Sequence, residues 1–331
     1  MPGTIRDIRK LTGLSLSTIS KYLNGGNVLP ENRKSIEKAI AELGYEVNEV
    51  ARWLATNKTK TIGVLVYNIQ SLFNGMLLSY IGSSLHTLGY GMLICDSADN
   101  PEQETRNIQF LLNKKVDGIL AIPVNGERHE FGYAEKVGVP VVLIDRPIEG
   151  KCCVKINNSL AARQATELLL DNNHTKIAII GSNPEYTGRR RCDGFFSAMT
   201  LAGLKVGENL IKIDRASIQF GYKSMRQLLN LKERPTAVFM TNYEITLGAV
   251  MAVNESEVRC PEDISLLGFD NLILSQIVKP KMTMVVQPMK EISEKAVDIL
   301  IQSLNSGVDS SSYGNINLST TIEFGNSIRK L

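Results

Sequence analysis

After Thr61 the chain repeats one pattern, a short unbroken apolar run followed by a stretch of helix length. Ile62–Val66 is such a run, with a helix read over Leu77–Leu88. Gly91–Cys95 follows, then a helix over Pro101–Lys114, then strands Gly118–Ile122 and Val141–Asp145. The rhythm restarts with a helix over Ser159–Asp171, strand Lys176–Ile180, helix Cys192–Leu201 and strand Asn209–Ile213. Helix Phe220–Leu229, strand Ala237–Met240, a helix from Ile245 and strand Ile264–Gly268 complete it. A strand that is apolar at every position has no face to give to water, so it belongs in a sheet covered on both sides. Alternation with helices makes that sheet parallel. Two such series imply two doubly wound parallel-sheet subdomains, with strand Met282–Val286 and a helix from Pro288 recrossing between them.

The first sixty residues obey another rule. They hold 10 Lys/Arg against 6 Asp/Glu, whereas residues 61–331 hold 27 against 28, so the positive excess of the whole chain sits at its start. Thr4 to Asp7 reads as a capping box, with a hydroxyl at the N-cap and a carboxylate three residues on. Ile5, Ile8, Leu11 and Leu14 supply an apolar face, and Gly13 falls where the chain must turn. A second short helix, Leu16–Leu23, runs into Asn24-Gly25-Gly26, a left-handed stop signal. A third opens with Pro30 at its first position and ends at Gly44. On the second helix Ile19 and Leu23 face inward, while Ser17, Thr18, Ser20 and Lys21 face outward with no carboxylate among them. Short donors and one cation suit a helix lying in a DNA major groove. Periodicity by itself fits a plain three-helix bundle with a polar second helix as well.

The residue string carries more. Thr4-Ile5-Arg6-Asp7-Ile8, then Thr12 through Lys21, Leu23-Asn24-Gly25, and Ala39-Ile40 to Leu43-Gly44-Tyr45, resembles the headpiece of the lac repressor / gal repressor family. The resemblance continues to Leu331. It implies an all-α helix-turn-helix headpiece over 1–47, a hinge helix and linker over 48–60, and an α/β core of the periplasmic-binding-protein-like kind over 61–331. In that core the N-subdomain would be about 61–157 plus 288–316, and the C-subdomain about 158–287 plus 317–331. It further implies a sequence-specific regulator of transcription, a repressor of carbohydrate-utilisation genes, whose operator affinity is set by a small effector between the subdomains. Leu16 and Ser17 match base-choosing positions, and Lys21 one that often carries Arg; Lys gives up bidentate geometry there. Thr4, Thr18, Ser20 and Asn24 match contact or positioning sites. In the segment 48–55, Asn48 and Ala51 share the hinge, and Leu54 matches the wedge into the minor groove. Val47 stands where the family has Pro, and Trp53 where a small or polar residue is common.

Ligands of open α/β sheets bind beyond the carboxyl ends of the strands. That rule selects Asn68 to Phe73, Asp145-Arg146, Asn183 to Arg191, Asn242 and Asp270. The resemblance assigns effector contacts to Phe73, Asp145, Arg191, Asn242 and Asp270, a set suited to sugar hydroxyls under an aromatic wall. Arg146, Arg189 and Arg191 together raise the alternative of an anionic effector, so sugar, sugar acid and phosphosugar all stay open. Tyr243 replaces a usual Asp, and Leu72 and Asn74 alter the usual apolar wall. Asp298 stands where members that bind a phosphocarrier protein have Arg, which argues against that partner.

Other classes find little support. No Gly-x-Gly-x-x-Gly or Walker string follows a strand, and His86, His129 and His174 are scattered, so no enzyme is expected and no cofactor or metal. Neither a signal peptide nor a membrane-spanning run is evident, and the five cysteines have no metal spacing, so reduced thiols in a cytoplasmic protein are expected. One short helix reads too few bases alone, which implies a homodimer on a pseudo-palindromic operator. No heptad tail suggests a tetramer.

Overall fold

A computed structural model describes residues 3–23, 25–45, 58–124, 131–270 and 277–331. The chain divides into two compact units, Met1–Lys60 and Thr61–Leu331.

The first unit is three helices: α1 (Ile5–Thr12), α2 (Leu16–Leu23) and α3 (Pro30–Leu43). The capping box at α1 is complete, with the Asp7 carboxylate accepting from Thr4 N–H at 3.0 Å and Thr4 Oγ1 accepting from Asp7 N–H at 3.3 Å. Gly13 ends α1 at φ 69°, a left-handed conformation that costs a glycine nothing. Ser15 caps α2, its hydroxyl accepting from Thr18 N–H at 3.1 Å. Ile8, Ile19, Ile36 and Ala39 are fully buried, one small core drawing on all three helices. Leu11 is the exception to the expected apolar face and is 49% exposed. Ile5, Ile8 and Thr12 make the inward stripe of α1, and a 100° step leaves Leu11 outside it.

The second unit contains two six-stranded sheets. The first is built from β1 (Thr61–Val66), β2 (Gly91–Asp96), β3 (Gly118–Ile122), β4 (Val141–Ile144), β5 (Cys152–Ile156) and β11 (Asn315–Leu318), in the order β11-β5-β4-β3-β1-β2 and parallel throughout. The second contains β6 (Ile177–Ser182), β7 (Ile211–Asp214), β8 (Ala237–Met240), β9 (Ser265–Phe269), β10 (Thr283–Val286) and β12 (Thr321–Glu323), in the order β12-β10-β9-β8-β6-β7. Only β12 pairs antiparallel, with β10. Apart from that strand the two orders are the same, so the internal repeat is real at the level of topology. The central strands β3, β4, β6, β8 and β9 are buried at every position, as unbroken apolar runs require.

Helices cover the sheets: α4 (Leu72–Thr87), α5 (Pro101–Asn113), α6 (Gly132–Lys136), α7 (Asn158–Asp171), α8 (Tyr186–Leu201), α9 (Ile218–Leu229), α10 (Tyr243–Asn254) and α11 (Met289–Ser306). Two helix pairs approach closely enough to need glycine. A Cβ on Gly194 of α8 would lie 2.1 Å from the Ser159 carbonyl oxygen, and one on Gly248 of α10 would lie 2.0 Å from that of Ile218.

Several expectations need correction. The apolar-run pattern does not single out strand β5; Cys152 and Cys153 in it are both buried, one toward each face of the sheet. Helix α4 starts five residues earlier than Leu77, and α8 six earlier than Cys192, which moves Arg189 and Arg191 from a loop onto a helix. Asn317 and Leu318 belong to the first sheet through β11, so the last recrossing comes at 319–320. The chain passes between the subdomains three times, at 157 after β5, at 287–288 after β10 and at 319–320 between β11 and β12. No described helix is long and apolar enough to cross a membrane.

Candidate functional site

In the first unit the outer surface of α2 is the candidate nucleic-acid face. Ser17 and Lys21 are exposed, Leu16 is 37% exposed, and Thr18 and Ser20 are half-buried. Ser15 Oγ lies 2.7 Å from Ser17 Oγ and 2.8 Å from Thr18 Oγ1, so three hydroxyls cluster at the helix start, where backbone N–H groups favour anions. The helix carries no carboxylate, and a groove beside it is lined by Ser17, Thr18, Lys21, Asn27, Leu29 and Asn32. Thr4 is committed to its cap, its hydroxyl donating to Asp7 at 2.7 Å. Asn24, Asn48, Ala51 and Leu54, with Val47 and Trp53, lie outside the described residues.

The second site is a cavity of about 550 Å³ between the two sheets of the core, within the range of small-molecule sites. Phe73, Asp145, Arg146, Arg191, Asn242 and Asp270 all line it. Equivalent strands supply equivalent groups. Asp145 directly follows β4 and Asp270 directly follows β9, both at positive φ (68° and 65°), and their N–H groups donate to Val154 and Val285. A non-glycine residue in that region is uncommon, though Asp tolerates it better than most.

Arg191 is wholly committed. Its Nη1 donates to Asp270 Oδ2 at 2.8 Å and to the Thr241 carbonyl at 2.7 Å, its Nε donates to Asn158 Oδ1 at 2.7 Å, and the guanidinium lies 3.8 Å over Phe269. Arg146 donates through Nη1 to the carbonyls of Pro123 and Val124 at 3.0 and 2.8 Å and lies 3.8 Å over the Tyr67 ring. Burial pushes the Tyr67 phenol up to about 12, against a lowering influence from Arg146. Val124 is itself held by Glu104, a buried carboxylate that accepts its N–H at 2.6 Å.

The expected trio of arginines therefore does not form one anion cluster. Arg189 lies on the outer side of α8, donating to the carbonyls of Asn183 and Pro184, and it does not line the cavity. Arg190 pairs outward with Asp193 at 3.1 Å. Of three consecutive arginines only the third turns inward, because each step along a helix rotates the side chain by about 100°.

Other residues reach the cavity that sequence reasoning did not single out. Glu244, in the first turn of α10, and Gln287, after β10, both line it, as do Glu185 and Thr241. Each sits beyond a strand's carboxyl end, so the strand-end rule could have found them. Tyr243 is instead buried in the C-subdomain core. Leu72 is 52% exposed, and Asn74 is fully buried, its Nδ2 donating to the Asn68 carbonyl at 2.7 Å. Burial raises Asp145 above the usual carboxylate range, against the pull of Arg191 and Arg146, and burial likewise raises Glu244. Four buried polar atoms of cavity-lining residues have no described partner: Asp145 Oδ1, Arg146 Nε, Thr241 Oγ1 and Gln287 Oε1. No described group of three or more His, Cys, Asp or Glu could hold a metal ion.

Comparison with known proteins recognises both parts of the chain. Residues 4–48 match the bacterial regulatory proteins of the lacI family, and residues 166–328 match the periplasmic binding protein-like domain. Catabolite control protein A of Priestia megaterium is 32% identical over 99% of this chain and 100% of its own. The ribose operon repressor of Escherichia coli K12 is 31% identical over 91% and 93%. Among solved structures, a lac repressor dimer bound to operator and an anti-inducer superposes with a TM-score of 0.87 at 23% identity, covering 99% and 100%. A cellobiose complex of the transcriptional regulator CelR gives 0.72 at 25% identity, covering 98% and 99%. A helix-turn-helix unit followed by a doubly wound two-sheet core, matched along nearly its whole length by these repressors, makes the chain a member of the lacI family of DNA-binding transcriptional regulators.

Proposed function

We propose that this regulator represses carbohydrate-utilisation genes as a cytoplasmic homodimer on a pseudo-palindromic operator, without catalysis, and that a small carbohydrate in the core cavity sets its operator affinity. The observation that carries the effector reading is the set of four unpartnered buried polar atoms around one cavity. Burying a polar atom unpaired costs about 1–3 kcal/mol, so a ligand rich in hydroxyls, each both donor and acceptor, recovers what the empty site forgoes. Asp145 and Gln287 present acceptors, Arg146 a donor, and Phe73 an apolar wall. The relatives' names, a ribose operon repressor and a cellobiose-bound regulator among them, support the same class.

The lining charge narrows the choice left open by the sequence. Among the described residues that line it, Asp99, Asp145, Glu185, Glu244 and Asp270 oppose Arg146, Arg191 and Arg215, a formal net charge of −2. That field disfavours sugar acids and phosphosugars, so a ligand without negative charge fits best.

Both ends of the reading are testable. Mobility-shift assays on operator fragments should show Ser17→Ala with Lys21→Ala weakening specific binding while circular dichroism stays unchanged. Lys21→Ala alone should lower the slope of log affinity against log salt by about 1. Unchanged binding by the double variant would remove α2 from the interface. A thermal-shift screen of neutral sugars, sugar acids and phosphosugars should yield stabilisation by uncharged or cationic compounds only.

A further inference from the structure

The cavity's negative charge exceeds what its own guanidinium groups neutralise, and the excess has a definite place. Resting on the reading of this cavity as the effector site, the geometry points to an effector that carries a protonated amine, an amino sugar or aminated polyol, seated against Glu244.

Each charged group can be followed to its partner. Asp270 is satisfied by Arg191 and by Gln287 Nε2. Asp99 accepts from Asn68 Nδ2 at 2.9 Å, and Arg215 is exposed at the rim. Arg146 directs its bonds to two carbonyls and its face to Tyr67. Three carboxylates remain. Asp145 is 6% exposed and accepts no hydrogen bond from a described residue, with Arg191, Arg146, Asp270 and Lys155 as its charged neighbours. The Glu185 carboxylate accepts the Ser182 hydroxyl and no other side chain among the described residues. Glu244 has no ion pair and no side-chain partner among the described residues, and the charges that face it are Asp270, Glu185 and Arg191, beside the phenols of Tyr67 and Tyr243. Two of those charges repel it, and the third is already engaged with Asp270.

Three classes of ligand could meet this surplus of acceptors. A metal ion needs a clustered ligand set, which the described residues do not provide. A neutral hydroxyl donates one bond without relieving the charge. An ammonium group offers three donors, no acceptor and a positive charge, which matches an unpaired carboxylate in a partly desolvated wall. Asp145 Oδ1, buried and unpartnered on the opposite subdomain, adds to the same negative potential. The preference for an amine over a hydroxyl at this position should be roughly 10- to 100-fold, the range of a charge-assisted over a neutral hydrogen bond.

The test uses the full chain and isothermal titration with matched probes: 2-amino-2-deoxy hexoses of gluco, galacto and manno configuration, each against its parent hexose and its N-acetyl derivative. At least one amine should bind 10-fold or more tightly than both counterparts, and Glu244→Gln should erase that advantage. The ligand-free protein supplies a second readout. Glu244 has its carboxyl raised in the fold, so its ionisation opposes folding at high pH and the penalty fades as pH falls. Glu244→Gln should therefore raise the melting temperature at pH 7.5, with a smaller gain at pH 5. If parent hexoses bind as tightly as the amines, or if Glu244→Gln lowers the melting temperature at pH 7.5, the amine assignment falls and the carbohydrate site stands. If none of the probes binds, the carbohydrate reading falls with it.

Discussion

Replacing Asp270 with alanine strands a guanidinium in the core. Arg191 and Asp270 have side chains 5% and 7% exposed, with 2.8 Å between Nη1 and Oδ2, and Arg191 is fixed in place by Asn158, the Thr241 carbonyl and the Phe269 ring. It cannot swing out to water without abandoning those contacts. Removing one partner of such a pair costs about 3–5 kcal/mol, mostly as the penalty of the charge left behind. At roughly 2–4 °C per kcal/mol for a domain of this size, the melting temperature of the ligand-free core should fall on the order of 10 °C. The informative companion is Asp270→Ala combined with Arg191→Met, which removes both charges and keeps much of the volume. Because the destabilisation comes from a buried guanidinium that has lost its hydrogen-bonded carboxylate, the double variant should be more stable than Asp270→Ala alone, a coupling of about 1–2 kcal/mol read by urea denaturation. A loss below about 1 kcal/mol for Asp270→Ala, or a double variant less stable than the single one, would refute the closed-pair account.

Other consequences follow from single contacts. Glu104→Ala frees the Val124 N–H and loosens the carbonyls that hold Arg146, so calorimetry should find effector affinity about 10-fold weaker, with Glu104→Gln restoring most of it. His174 is buried between Thr236 and the Arg329 carbonyl, and burial lowers its pKa below 6.5. Its unfolded form takes up a proton first, so stability is present above pH 6.5 and is lost as pH falls below it. His174→Gln should flatten that loss in melting curves between pH 7.5 and 5. Gly248→Ala would drive a methyl against the Ile218 carbonyl and should cost about 3 kcal/mol in urea, while the isolated α1–α3 unit keeps its helical circular dichroism.

The architecture was legible because the strands of a doubly wound sheet are apolar at every position, a pattern that little else produces. What escaped notice lay where polarity turns inward. The first six residues of α8, Tyr-Thr-Gly-Arg-Arg-Arg, have no apolar stripe because part of the segment faces a polar cavity, so it looked like loop. Strand β5 follows a Pro- and Gly-containing turn and carries Lys155, and its five residues were too short and mixed to stand out. Asp145, Arg191, Asn242 and Asp270 could be placed from strand ends and from the resemblance. Arg189 could not be told from Arg191 without the helical phase, and neither the pairing of Arg191 with Asp270 nor the isolation of Glu244 is written in any local pattern.

The three crossings between the subdomains have a mechanical consequence. One connection is a single residue and the other two are two residues each, at roughly 3.5 Å per residue, so none has slack. Each leaves a strand on the β11/β5 side of the first sheet or the β12/β10 side of the second, like pins along one side of a door. Three short connections on one side favour a swing of one subdomain against the other over a slide. An occupant of the cavity, which is lined from both subdomains, can set the angle of that swing. Two chemically unrelated occupants that hold the same angle would be read as the same signal, and a ligand that binds tightly without changing the angle would carry no message.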